Sequence, residues 1–208
     1  MEILYCILIG YFLGCLSPAA LLGRLKKHDL RKEGTGNLGA TNVTMVLGKG
    51  FGVFVMLFDI AKGALAVILC RNFFEETFAY AALLGGLFVV VGHVFPFYLK
   101  FRGGKGLAAF GGMVLAYDPL LFVVLLALAL VVMFIVNYSF VVPFAGGALF
   151  CILATLKTPD IFVFLISLLS GALIIWKHSP NLLKARNKSD IKVRDYIKRH
   201  ILGKKEEE

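Results

Sequence analysis

Phe101-Arg102-Gly103-Gly104-Lys105-Gly106 separates two apolar segments of membrane type. Three glycines allow a tight backbone that can turn successive amides toward one point. Arg102 and Lys105 add two cations, and a helix over 106–117 would bring its N-terminus to the same place. A small backbone, convergent N–H groups and a lysine suit a phosphate. The plainer alternative is a basic loop beside the membrane that only sets topology.

Outward from this loop, the composition is that of an integral membrane protein. Of the 208 residues, 59% are hydrophobic and 17% charged, with a mean hydropathy of +0.85, far above a soluble domain. The net charge of +9 is concentrated in a few loops, which argues against nucleic acid as a partner. Cys6, Cys15, Cys70 and Cys151 fall in apolar segments without CxxC spacing, so reduced, packed thiols are expected, with no disulfide or metal site. The first apolar run has no basic flank before it and is long enough to span, so it is not expected to be a cleaved signal peptide.

In order, the apolar segments are 3–23, 51–70, 77–99, 106–117, 120–136, 138–156 and 160–176. Ser17-Pro18 is a candidate kink in the first, and Asp118-Pro119 ends the short fourth. With seven crossings and the N-terminus outside, the segments 24–50, 100–105, the turn at 137 and the tail from Lys177 hold 19 of the 22 Lys and Arg. Dropping one crossing would put the strongly basic tail outside, against the positive-inside rule. The expectation is an all-α polytopic protein with seven transmembrane helices and a cytoplasmic C-terminus. Residues 1–178 form the membrane domain. Residues 179–208 form a basic cytoplasmic tail, in which Val193, Tyr196, Ile197 and Ile201 have the spacing of an interfacial helix.

Four polar clusters face the cytoplasm in this topology. The first is Gly34-Thr35-Gly36-Asn37-Leu38-Gly39-Ala40-Thr41-Asn42, dense in glycines, hydroxyls and amides. The second is the loop at 103–106. The third is His93 with Pro96, and the fourth is His178 with Asn181, just past the last span. Asp59 and Lys62, three apart inside a span, read first as a structural ion pair and second as a catalytic pair or groups lining a polar cavity. His93 could equally bond a neighbouring helix, and His178 and Asn181 could be interfacial polar residues. Convergence on one face favours an anionic, phosphate-bearing small molecule from the cytoplasm.

These clusters, with Asp59-x-x-Lys62-Gly63, Gly92-His93-x-Phe95-Pro96 and His178-x-x-Asn181, resemble the bacterial acyl-phosphate-dependent glycerol-3-phosphate acyltransferases over nearly the whole chain. The resemblance implies a seven-helix enzyme of the cell membrane, with its active site on the cytoplasmic side. It would move an acyl chain from acyl phosphate to the 1-hydroxyl of glycerol 3-phosphate, releasing lysophosphatidic acid and phosphate. It would use no cofactor and neither acyl-CoA nor acyl carrier protein directly. A functional link to the enzyme that makes acyl phosphate follows. The implied catalytic residues are His178, Asn181 and Lys105. The implied substrate-binding residues are Thr35, Gly36, Asn37, Gly39, Thr41, Asn42, His93, Arg102, Gly103, Gly104 and Gly106.

The residues agree with that chemistry. Acyl phosphate carries a good leaving group and the nucleophile is a substrate hydroxyl, so two phosphate sites and positioning suffice. A His-x-x-x-x-Asp pair is absent, the closest match being His28 with Glu33. Three positions depart from the family's usual pattern: Thr35 for Ser, Met45 for Arg, and Asn137 for a basic residue. A transporter or flippase for a phosphorylated small molecule or lipid, and a non-catalytic relative, stand as alternatives.

Overall fold

The computed structural model describes residues 1–76, 80–186 and 193. Every regular element among them is helical: α1 (Glu2–Cys15), α2 (Pro18–Leu25), α3 (Ala40–Leu47), α4 (Lys49–Phe74), α5 (Ala81–Val94), a 3₁₀ turn at Phe97–Leu99, α6 (Leu107–Tyr117), α7 (Pro119–Val136), α8 (Val141–Lys157) and α9 (Ile161–Arg186). Five stretches are long and apolar enough to cross a membrane: Glu2–Leu25, Lys49–Phe74, Ala81–Leu99, Pro119–Val136 and Ile161–Leu182. The other two expected crossings, α6 and α8, are shorter, at 11 and 17 residues.

The first span is broken where Ser17-Pro18 suggested. Ser17 accepts a hydrogen bond from the amide of Ala20 and Pro18 opens α2, a combination that ends one helix and starts another. Carbonyls freed by such a break must find donors inside the membrane. Gly14 O and Leu16 O accept Lys62 Nζ, at 3.1 and 2.6 Å, and Cys15 O accepts the Tyr98 hydroxyl at 2.8 Å.

α5 is the axis of the bundle, with all but Phe88 and Val91 of its 14 residues buried. α1 and α4 pack on it, and α6 packs on α4. Small residues permit these approaches: a Cβ on Gly14 would strike the carbonyl of Val89, and one on Gly63 that of Ala109. α7 lies outermost, exposing Leu120, Val123, Val131 and Ile135, the surface expected of a helix facing lipid. All four cysteines are free thiols.

The seventh segment runs further than its sequence suggested. α9 continues through Pro180 to Arg186. Pro180 cannot donate to the carbonyl four residues earlier, and the Ser179 hydroxyl fills that vacancy by bonding Trp176 O at 2.8 Å. No helix boundary falls between 178 and 179. Of the expected tail helix only Val193 is described, and its amide donates to Asn137 O at 3.1 Å. Tyr196, Ile197 and Ile201 lie outside the described residues.

Candidate active site

The bundle has two polar ends. At one, Arg71 donates to the carbonyls of Ala116 and Tyr117, and Lys157 pairs with Asp118, which caps α7 through the amide of Leu121. At the other lie the basic loop between α2 and α3, the 100–106 loop and the last turns of α9.

The 100–106 loop is anchored on the end of α5. The amide of Gly103 bonds Val94 O at 3.0 Å and that of Gly104 bonds His93 O at 3.1 Å. These two amides close carbonyls that the end of α5 leaves open, so they are not the convergent phosphate donors that the glycine spacing suggested. Gly103 and Gly104 also lack the positive φ that the tight-loop reading implied. Lys100, Phe101 and Gly106 have it, at φ 56°, 57° and 85°. The two glycines serve close approach: a Cβ on Gly103 would strike His93 O, and one on Gly104 would strike His93 Nε2 and Leu38 O.

From this anchored backbone Lys105 extends to α9, where its Nζ donates to Asn181 Oδ1 at 2.6 Å. His178 is buried one turn back, and its Nδ1 lies 2.8 Å from Ile174 O. A carbonyl oxygen only accepts, so Nδ1 carries a proton, an arrangement that in the neutral ring leaves Nε2 as an acceptor. A Cβ on Gly106 would come within 3.3 Å of the Ile174 side chain, so the loop and the His178 turn are adjacent.

The 34–42 run is a tight loop with a buried anchor. Gly34 and Gly36 take φ 58° and 72°, whereas Gly39 is extended at φ −141° and caps α3. Asn42 is fully buried; its Oδ1 accepts the amide of Thr35 at 2.5 Å and its Nδ2 donates to Leu30 O at 2.7 Å. Both ends of its amide are thus committed to holding the loop. Thr35, Gly36 and Thr41 stay exposed and Asn37 is half-buried. Arg31, which nothing in the sequence singled out, ties this region to the other loop through Leu99 O at 3.0 Å and Arg102 O at 2.6 Å. His28 and Glu33 pair at 2.8 Å on the surface, where Glu33 also accepts the amide of Asp29.

Asp59 and Lys62 pair at 2.8 Å, and His93 Nδ1 lies 3.3 Å from the same carboxylate oxygen. All three are buried. His93 thus lies behind the glycine loop, close to a carboxylate on α4 but without an aligned hydrogen bond to it.

A profile of the glycerol-3-phosphate acyltransferase family matches residues 4–188. The chain belongs to that family. The glycerol-3-phosphate acyltransferases of Geobacillus kaustophilus and Bacillus subtilis are 36% and 33% identical to it, over 189 and 195 residues. The matches cover 90% and 93% of this chain, and 94% and 99% of theirs. Among solved structures, the glycerol 3-phosphate form of PlsY (YgiH), an integral membrane glycerol 3-phosphate acyltransferase, superposes with a TM-score of 0.83 at 28% identity. It covers 92% of this chain and 96% of its own. The lysophosphatidic acid form of PlsY gives 0.82 at 26% identity, over 95% and 99%.

The acyltransferase thus brings Lys105, Asn181, His178, Gly104, Gly106 and the Leu38 backbone of the 34–42 loop to one end of the bundle. Arg102 is exposed there and its carbonyl, not its side chain, bonds Arg31. Met45 is exposed on α3, and Asn137 ends α7 in the left-handed conformation.

Proposed function

We propose that this acyltransferase moves an acyl chain from acyl phosphate to the 1-hydroxyl of glycerol 3-phosphate at the cytoplasmic side of the cell membrane. The 2.6 Å bond between Lys105 and Asn181 carries the reading, because it puts a cation at the junction of the glycine loop and α9, one turn from His178.

In this reading the hydroxyl oxygen attacks the acyl carbon, the bond from that carbon to the phosphate oxygen breaks, and phosphate leaves with the electron pair. Lys105 neutralises phosphate charge as it develops. His178 Nε2 accepts the hydroxyl proton, its ring held by the bond to Ile174 O. Asn181 steers the lysine and can turn its amide to a substrate oxygen. The exposed Thr35, Gly36, Asn37 and Thr41, and Arg102, line the approach, while Asn42, Gly39, Gly103 and Gly104 shape the loops. The relatives named for glycerol 3-phosphate support the acceptor, and the PlsY form with lysophosphatidic acid supports the product.

Seven crossings fit the same picture. α6 runs from the Lys105 end of the bundle to the Arg71 end. Its 11 residues cover roughly 16 Å at about 1.5 Å per residue, short of a hydrocarbon core of about 30 Å. The loop before it would then dip into the membrane and recess the site. Purified protein in vesicles, given acyl phosphate outside and labelled glycerol 3-phosphate, should make labelled lysophosphatidic acid. Transport of the label without product would establish a transporter instead.

A further inference from the structure

Lys62, Asp59 and His93 sit one behind another between the broken first span and the glycine loop. Lys62 Nζ holds Gly14 O and Leu16 O while contacting Asp59 at 2.8 Å. The Asp59 oxygen that pairs with Lys62 also lies 3.3 Å from His93 Nδ1, and neither contact is an aligned hydrogen bond. The opposite edge of the imidazole, Nε2, fills the place where a Gly104 side chain would be. The His93 carbonyl meanwhile holds the Gly104 amide at 3.1 Å. The residue after Gly104 is Lys105.

We infer that Asp59 and His93 are positioning residues for Lys105, and that this buried row sets where the ammonium meets a phosphate-bearing substrate. A buried ion pair with a histidine against it is expensive inside a membrane-spanning bundle, and a helix–helix tether needs neither an imidazole edge against the loop nor a glycine shaped to receive it. With His93 set against Asp59, the Gly103-Gly104 backbone has a single seat, and Lys105 leaves it aimed at Asn181. With the imidazole released, the same backbone bonds remain while the loop loses the wall that fixes its height above α5. The row is 2–7% exposed throughout, so it acts without touching substrate.

The inference rests on the proposed acyl transfer only in taking Lys105 as a phosphate partner, and a binding measurement separates the two. Glycerol 3-phosphate is titrated calorimetrically into the detergent-solubilised full chain carrying His93→Gln, Lys105→Ala, or both, with folding checked by thermal melts. If His93 works through Lys105, each single variant weakens binding roughly ten- to a hundredfold, the range for one charge-assisted hydrogen bond. The double variant is then no weaker than Lys105→Ala alone. Multiplying losses, or His93→Gln at wild-type affinity, would overturn the inference. If His93→Gln fails to fold, Gly104→Ala and Asp59→Asn combined with Lys62→Met take its place in the same cycle, with the same criteria. Binding of this pattern with no acyl transfer would contradict the proposed reaction and leave the positioning role standing.

Discussion

The Lys105 ammonium donates to the Asn181 side-chain carbonyl at 2.6 Å across 76 positions of sequence. That bond joins the glycine loop to the last helix, and the distribution of charge around it yields the following expectations.

Replacing Lys105 by Met keeps the length of the side chain and removes its charge. A hydrogen bond to a charged group contributes about 1.5–3 kcal/mol, so kcat/KM should fall roughly ten- to a hundredfold. Steady-state kinetics at varied glycerol 3-phosphate check it. Asn181→Ala should lose less, because it leaves the ammonium in place. Equal activity of Lys105→Met and wild type would remove the lysine from the site.

His178 is fixed by its bond to Ile174 O, so His178→Ala should lower kcat far more than it raises the KM for glycerol 3-phosphate. His178→Gln, which keeps a hydrogen-bonding side chain but not a proton acceptor of imidazole strength, should fail to restore turnover. Full recovery in His178→Gln would reduce the histidine to an orienting group.

Within the span, Asp59→Ala would leave Lys62 buried at 3% exposure without its carboxylate. Breaking a buried pair by removing one partner costs about 3–5 kcal/mol. Asp59→Asn with Lys62→Met leaves no uncompensated charge but strips Gly14 O and Leu16 O of their donor, so it should recover only part of that loss. Thermal melts in one detergent give the order; a single variant as stable as the double would contradict it.

Topology is testable from residues at the two ends. With α6 crossing, cysteines at the exposed Glu76 and Thr158 should label from the same side of the membrane, and one at Lys32 from the other. Labelling of Glu76 and Thr158 from opposite sides would show that α6 does not cross.

The helical plan was legible because its signals are local. Apolar runs marked every helix but α3, which falls in the stretch read as a polar loop, while Ser17-Pro18 marked the break and Asp118-Pro119 the start of α7. Asp59 and Lys62, one turn apart, were readable as a pair. What stayed hidden depends on the neighbours each group finds. Gly103 and Gly104 look like phosphate donors in sequence, yet their amides go to the nearby end of α5. Pro180 looks like a helix end until the Ser179 hydroxyl is seen on Trp176 O. His93 could be placed beside the site but not assigned a carboxylate from a different helix. Asn42 likewise looked like a ligand-binding amide, and its burial against Leu30 and Thr35 is a tertiary fact.

The central claim is acyl transfer from acyl phosphate to glycerol 3-phosphate. The most direct measurement gives the purified protein, in lipid, palmitoyl phosphate labelled with heavy oxygen at the bridging position, together with glycerol 3-phosphate and no acyl-CoA. Lysophosphatidic acid should form in equal amount to the phosphate released, with the heavy oxygen in the phosphate. Release of phosphate without lysophosphatidic acid, or product only when acyl-CoA is supplied, would contradict the account.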